Sequence, residues 1–155
     1  MLKKSLYLIK KSLYLIISIL LATVLVVLQT TLSNLMWLSS VDMPVTIGLT
    51  LNTFFGDLIG MNSSGAIPLV GLVAVGMLLA YLVAKILLIW INAKKSYAYG
   101  LAGAAAILAI VLLMPLAFYN LDLIAGARTA FGKTILILCG FLSGYYFGSK
   151  LDDKE

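Results

Sequence analysis

The chain has 155 residues, 63% of them hydrophobic, and a formal net charge of +5. Soluble domains are only about 45–50% apolar, so this composition argues against a water-soluble fold and predicts a membrane protein. The chain has no histidine and one cysteine, which excludes histidine-dependent nucleophile pairs, histidine-ligated metals, thiolate clusters and an internal disulfide.

Four apolar stretches are each long enough to cross a bilayer as a helix, which takes roughly 18 or more apolar residues. We predict transmembrane spans near residues 12–32, 67–91, 98–118 and 129–147. These spans leave no room for a separate soluble domain. The sequence therefore predicts an all-α integral membrane bundle of four transmembrane helices, with residues 1–155 forming a single membrane domain.

The N-terminal segment contains a short tandem repeat. Residues 3–9 and 10–16 are identical, each reading Lys-Lys-Ser-Leu-Tyr-Leu-Ile. A seven-residue period places equivalent side chains on nearly the same helical face, so the two lysine pairs point to one side. Two interpretations follow, either an interfacial helix that binds anionic lipid or a duplicated anchor that sets the topology.

The loop between the first two spans is too apolar for a solvated linker. The motif Asp42-Met-Pro resembles a helix start, with a capping acid and a proline in the first turn. One polar stripe then recurs at helical spacing, through Thr46, Thr50, Thr53 and Asp57. We expect one extra amphipathic helix here, near residues 43–60, at the outer membrane interface.

Positive charges are distributed unevenly among the connecting segments. Lysines lie before the first span, between the second and third, and after the fourth, whereas residues 34–68 contain no lysine or arginine. Positive residues remain on the cytoplasmic side, which predicts a multi-pass protein of the cell (inner) membrane with both termini cytoplasmic. Because orientation accounts for these lysines, no nucleic-acid partner is expected.

Small residues spaced four apart mark the faces on which helices can approach closely. Three of the four spans carry such residues, and six of them are assigned to helix packing: Gly76, Ala80, Ala84, Gly140, Gly144 and Gly148. Lipid tails are as apolar as leucine, so close backbone contact matters more than the burial of large side chains. The spacing is compatible with packing inside one chain or against a second copy or membrane partner.

Five charged residues are candidates for a binding site, namely Asp57, Asp122, Arg128, Lys133 and Lys85. Lys85 lies inside the second span, where its ammonium group either lines a pathway or extends to the cytoplasmic surface. Arg128 and Lys133 lie at the start of the fourth span. Basic residues there oppose the helix dipole and require a counter-charge, such as a nearby aspartate, a lipid phosphate or another anion.

Small-residue motifs for helix packing outnumber the residues that could support catalysis or ligand binding. The leading hypothesis is therefore a non-catalytic membrane protein that assembles with itself or with a membrane partner. One alternative is a small channel, transporter or anion- or lipid-headgroup-binding protein that uses Lys85 or the pair Arg128 and Lys133. A second is an intramembrane hydrolase built on Asp57 and Asp122, which would have to share one water. No catalytic residue, metal or cofactor is predicted. The expected partner of the chain is the lipid bilayer that surrounds it.

Overall fold

The structure, a computed structural model, describes residues 2–63, 68–117 and 124–152. Within these residues all regular structure is helical, and it comprises α1 (Leu2–Ser40), α2 (Ile47–Ser63), α3 (Leu69–Trp90), α4 (Lys95–Ala117), a 3-10 turn (Ala125–Arg128) and α5 (Ala130–Asp152). The four helices α1, α3, α4 and α5 are long and apolar enough to cross a membrane. The predicted all-α fold with four such helices is confirmed, while the span ends placed at residues 67 and 118 lie outside the described residues.

Helix α1 is much longer than the predicted span, because the lysine-containing repeat and residues 33–40 continue the same helix. It ends in a left-handed residue, Asp42, whose φ is 58°. The amide of Asp42 donates to the carbonyl of Ser39, and the amide of Met43 donates to that of Leu38, at 3.3 and 3.2 Å. This hydrogen-bond pattern is a Schellman motif. Asp42 therefore closes α1, rather than opening the next helix as its sequence context predicts.

Helix α2 begins four residues later than expected, at Ile47. Its start is capped by Thr46, whose hydroxyl accepts a hydrogen bond from the amide of Leu49 at 3.2 Å. Threonine is a good N-cap because its oxygen satisfies an amide that the first turn leaves unpaired. At the other end, the side chain of Asn62 accepts a hydrogen bond from the amide of Val70 at 2.8 Å, which connects α2 to the start of α3.

Helices α4 and α5 form the closest antiparallel pair. A methyl group added at Gly103 would overlap the backbone of Gly140, and one added at Gly144 would overlap the carbonyl of Tyr99. One turn further along, a Cβ at Gly148 would lie 2.6 Å from the carbonyl oxygen of Lys95. The contact thus recurs every four residues on both helices, as small-residue packing requires.

A buried polar link crosses the middle of the bundle. The Ser18 hydroxyl donates to the carbonyl of Ser143 at 2.8 Å. It lies 2.9 Å from the Tyr81 hydroxyl, which must be the donor because the single hydrogen of Ser18 is already used. The Tyr81 ring stacks on Phe147, with centroids 5.0 Å apart, and meets Tyr99 edge-on. These contacts join α1, α3, α4 and α5 at one level.

The C-terminal end of α5 caps the N-terminal end of α4. The backbone amide of Ser96 donates to Asp152 Oδ2 at 3.0 Å, and the Ser96 hydroxyl donates to the same oxygen. A carboxylate at a helix N-terminus satisfies an unpaired amide and complements the helix dipole. The α4–α5 pair is therefore fixed at this end by hydrogen bonds, as well as by its glycine contacts.

Candidate binding groove

A groove of about 670 Å³ runs between the C-terminal half of α1 and the N-terminal half of α5. The 3-10 turn between α4 and α5 contributes to one end of it. The volume lies in the range of roughly 300–1,000 Å³ that small-molecule sites occupy. Its walls are formed by Leu25, Leu28, Gln29, Leu32, Ser33, Asn34, Met36, Trp37, Ala125, Arg128, Thr129, Phe131, Gly132, Ile135 and Cys139.

The groove is apolar at one end and polar at the other. The antiparallel register is set by Gln29, whose Nε2 donates to the carbonyl oxygen of Gly132 at 3.5 Å. Residues after Gln29 on α1 therefore lie level with residues before Gly132. This places Asn34 in the same part of the groove as Arg128, while Cys139 lies at the far end. Along α1 the groove extends from residue 25 to 37, about 18 Å at 1.5 Å per residue.

Gln29 is the polar residue buried deepest in this wall, with 6% of its surface exposed. Its amide nitrogen also donates to the Ser33 hydroxyl at 3.1 Å. Its carbonyl oxygen, Oε1, is buried and accepts no hydrogen bond from the described residues. A buried acceptor without a donor costs about 1–3 kcal/mol. This oxygen faces Gly126 of the 3-10 turn.

The 3-10 turn packs tightly between α1 and α5 because two glycines allow it. A Cβ at Gly126 would overlap the Gln29 side chain, and one at Gly132 would overlap the carbonyl oxygen of Gly126. Ile124 and Ala127 of the same segment are buried, with 3% of each exposed. A non-helical segment inside a membrane protein is tolerated where it contacts protein or lines a polar cavity.

Arg128 gives the polar end of the groove a positive charge. It is exposed, and no carboxylate among residues 2–63, 68–117 and 124–152 forms an ion pair with it. It immediately precedes Thr129, whose hydroxyl caps α5 by accepting the amide of Gly132 at 3.0 Å. The positive end of the α5 dipole therefore adds to the charge of the guanidinium.

Three of the other candidate charges do not line the groove. Lys133 is half-buried on α5, and Lys85 is exposed on the outer surface of α3. Asp57 is half-buried on α2 and accepts a hydrogen bond from the Thr31 hydroxyl at 2.7 Å. Asp122 lies outside the described residues. Of the four candidates that lie among the described residues, only Arg128 lines the groove.

The predicted packing residues lie inside the chain. Gly140, Gly144 and Gly148 are buried against α4. On α3, Ala84 is buried, and a Cβ at Gly76 would lie 3.0 Å from the side chain of Ile110 on α4. Ala80 is half-buried and packs against the core. The glycine face of α5 is covered by α4, so a second copy could reach it only by displacing that helix.

The contribution of α1 to the groove was not predicted from the sequence. Gln29 and Ser33 are polar residues four apart near the end of a mostly apolar span, which places them on one helical face. Polar residues inside a membrane helix usually face the bundle interior or a cavity. This spacing was the available signal, and Trp37 continues the same face one turn later.

The hydrogen bond between Thr31 and Asp57 fixes α2 to α1, and we expect Asp57→Asn to be nearly neutral because the amide oxygen remains an acceptor. Asp57→Leu leaves the Thr31 hydroxyl without this acceptor and should lower the free energy of unfolding by about 1 kcal/mol. Thermal unfolding in detergent, followed by circular dichroism, measures both variants. Equal destabilisation by asparagine and leucine would show that the carboxylate charge, and not the hydrogen bond, is required.

No protein-family model, curated protein or solved structure matches this chain. Its function is therefore argued from the groove and its surroundings.

Proposed function

We propose that this chain is a multi-pass protein of the cell inner membrane, with both termini cytoplasmic, and that it binds a lipid-like amphiphile without catalysing a reaction. The observation that carries the proposal is the groove between α1 and α5. Its long apolar wall leads to a polar end that contains Arg128 and Asn34. A molecule with a hydrocarbon tail and a polar head matches both ends, whereas a wholly polar solute matches only one.

The outward face of α3 supports a membrane location. Its exposed residues are large and aliphatic over most of its length, including Leu78, Leu79, Leu82, Val83, Ile86, Leu87 and Ile89. Soluble monomers rarely expose a continuous apolar surface of this kind. Small residues are scarce on this face, which suits lipid better than a close helix contact. In a bilayer, Lys85 would extend its ammonium group toward the cytoplasmic headgroups.

Helix α2 also presents apolar side chains outward. Ile47, Leu51, Phe55 and Ile59 are spaced four apart and are all exposed. Several polar side chains of the same helix are hydrogen bonded within the chain. Two threonine hydroxyls, those of Thr50 and Thr53, donate to carbonyls one turn back, and Asp57 contacts Thr31. We therefore propose that α2 is an amphipathic helix at the outer interface, with its apolar stripe against lipid.

The orientation proposal follows from the two ends of the bundle. Five lysines lie at or near the end that holds the start of α1 and the end of α5, namely Lys10, Lys11, Lys94, Lys95 and Lys150. Because the four long helices alternate in direction, both chain ends lie on that side. The positive-inside rule places this end in the cytoplasm and the polar end of the groove toward the outer surface.

We favour binding of an amphiphile over assembly through the small-residue faces, because other helices of the same chain already cover these faces. The paired-aspartate hydrolase is also not supported, because Asp57 is hydrogen bonded to Thr31 and does not line the groove. Among the described residues that line the groove, no two titratable groups are positioned to exchange a proton.

Purification in a mild detergent followed by native mass spectrometry tests the proposal. We expect the wild-type chain to retain about one lipid-sized molecule. The variant Leu28→Trp fills the groove wall and should weaken retention about tenfold, equivalent to about 1.4 kcal/mol. The matched control is Leu82→Trp, the same substitution at an exposed position on α3. Retention that is absent in the wild type, or equal in both variants, contradicts the proposal.

A further inference from the structure

We infer that the occupant of the groove is an anionic phospholipid, whose phosphate is bound by Arg128 and whose acyl chain lies along the wall between Leu25 and Ile135. This inference rests on the proposed function and specifies its ligand. It concerns the charge of the headgroup, which the apolar wall alone cannot determine.

The polar end of the groove carries a positive charge. Arg128 pairs with no carboxylate of the described residues, and it lies beside the positive end of the α5 dipole. A guanidinium group presents several donors in one plane, which matches the oxygens of a phosphate. Because the groove opens beside low-dielectric hydrocarbon, a charge there is stabilised more by a bound anion than it would be in water.

The apolar part of the groove distinguishes a lipid from a free anion. Leu25, Leu28 and Ile135 form a wall that a soluble phosphate would leave uncovered. Trp37, 66% exposed at the polar end, is the residue type that prefers the headgroup level of a membrane. A phosphate near Arg128 would therefore lie at headgroup depth, with its chain directed toward the bilayer centre.

The test compares phosphatidylglycerol with phosphatidylcholine of identical acyl chains, added to delipidated full-length protein and measured by native mass spectrometry. We expect the anionic lipid to bind about tenfold more tightly at low salt. This preference should shrink in about 1 M salt, where the Debye length falls to about 3 Å. Arg128→Gln should remove the preference and leave binding of phosphatidylcholine intact. Lys133→Gln and Lys85→Gln are matched controls that should retain it.

The outcomes separate this inference from the proposed function. Equal binding of both lipids by the wild type, or a preference that persists in Arg128→Gln, contradicts the inference of an anionic headgroup bound by Arg128. The proposal that the groove binds an amphiphile is unaffected by either outcome. Glycerol phosphate without acyl chains is added as a competitor. If it displaces the lipid at similar concentrations, the site is one for a soluble anion and the lipid inference fails. If neither lipid binds, the proposed function fails as well.

Discussion

Leucine in place of Gly144 is expected to separate α4 from α5 and to leave little folded protein. A Cβ at this position would overlap the carbonyl oxygen of Tyr99, so even alanine forces the two helices apart. Overpacking a closed interface costs about 1–3 kcal/mol, and leucine should reach or exceed the upper end of that range. The yield of monodisperse protein in detergent and its thermal unfolding midpoint measure the effect.

Gly71 provides the matched control, because it is a glycine in another candidate membrane helix with no atom within 4 Å of an added Cβ. Alanine is a better helix former than glycine by about 1 kcal/mol, so Gly71→Ala should be neutral or stabilising while Gly144→Ala destabilises. If both alanine variants unfold at the wild-type midpoint, the close α4–α5 contact does not limit the stability of the bundle.

The helices could be predicted from the sequence because the signal for each lies within its own residues. Long apolar runs indicate membrane helices without reference to tertiary contacts. The glycine spacing on α5 likewise predicts a close helix contact. It does not identify the partner, since α4 and a second copy satisfy the same requirement. That choice depends on the register that places Gly140 opposite Gly103, which only the folded chain shows.

The ends of α1 and α2 were harder to predict, since two motifs compete for the same residues. Asp42 before Met-Pro favours an N-cap, but aspartate also tolerates the left-handed conformation that closes a helix. In the structure the second role prevails, and Thr46 caps α2 instead. Nothing local distinguishes the two roles, because the outcome depends on where the preceding apolar helix stops.

The groove could be predicted only in part. Arg128 stood out as a charge at a helix start, and the structure places it at the polar end. The opposite wall comes from α1, about 100 residues earlier in the chain, and its position depends on the buried 3-10 turn. That turn requires glycine at 126 and 132, where a side chain would collide with neighbouring atoms. Contacts of this kind arise from packing and leave no periodic pattern in the sequence.

Tyr81→Ala, like Gly144→Leu, is expected to destabilise the bundle strongly. The ring of Tyr81 is 4% exposed, stacks on Phe147 and meets Tyr99 edge-on, so its removal leaves a cavity where α3, α4 and α5 meet. Replacing a buried aromatic side chain with alanine costs about 3–5 kcal/mol. The free energy of unfolding, measured by detergent denaturation, should fall by this amount.

Two further variants separate the contribution of the ring from that of the hydroxyl. Tyr81→Phe removes only the hydrogen bond to Ser18, which keeps its own bond to Ser143, and should cost about 0.6 kcal/mol, as for an average polar contact between membrane helices. Tyr97→Ala removes a ring that is 55% exposed and has one edge-on partner, so its cost should stay near 1 kcal/mol. Equal losses for Tyr81→Ala and Tyr97→Ala would show that the aromatic cluster does not hold the helices together. A loss for Tyr81→Phe as large as that for alanine would instead assign the stability to the polar link between Ser18 and Tyr81.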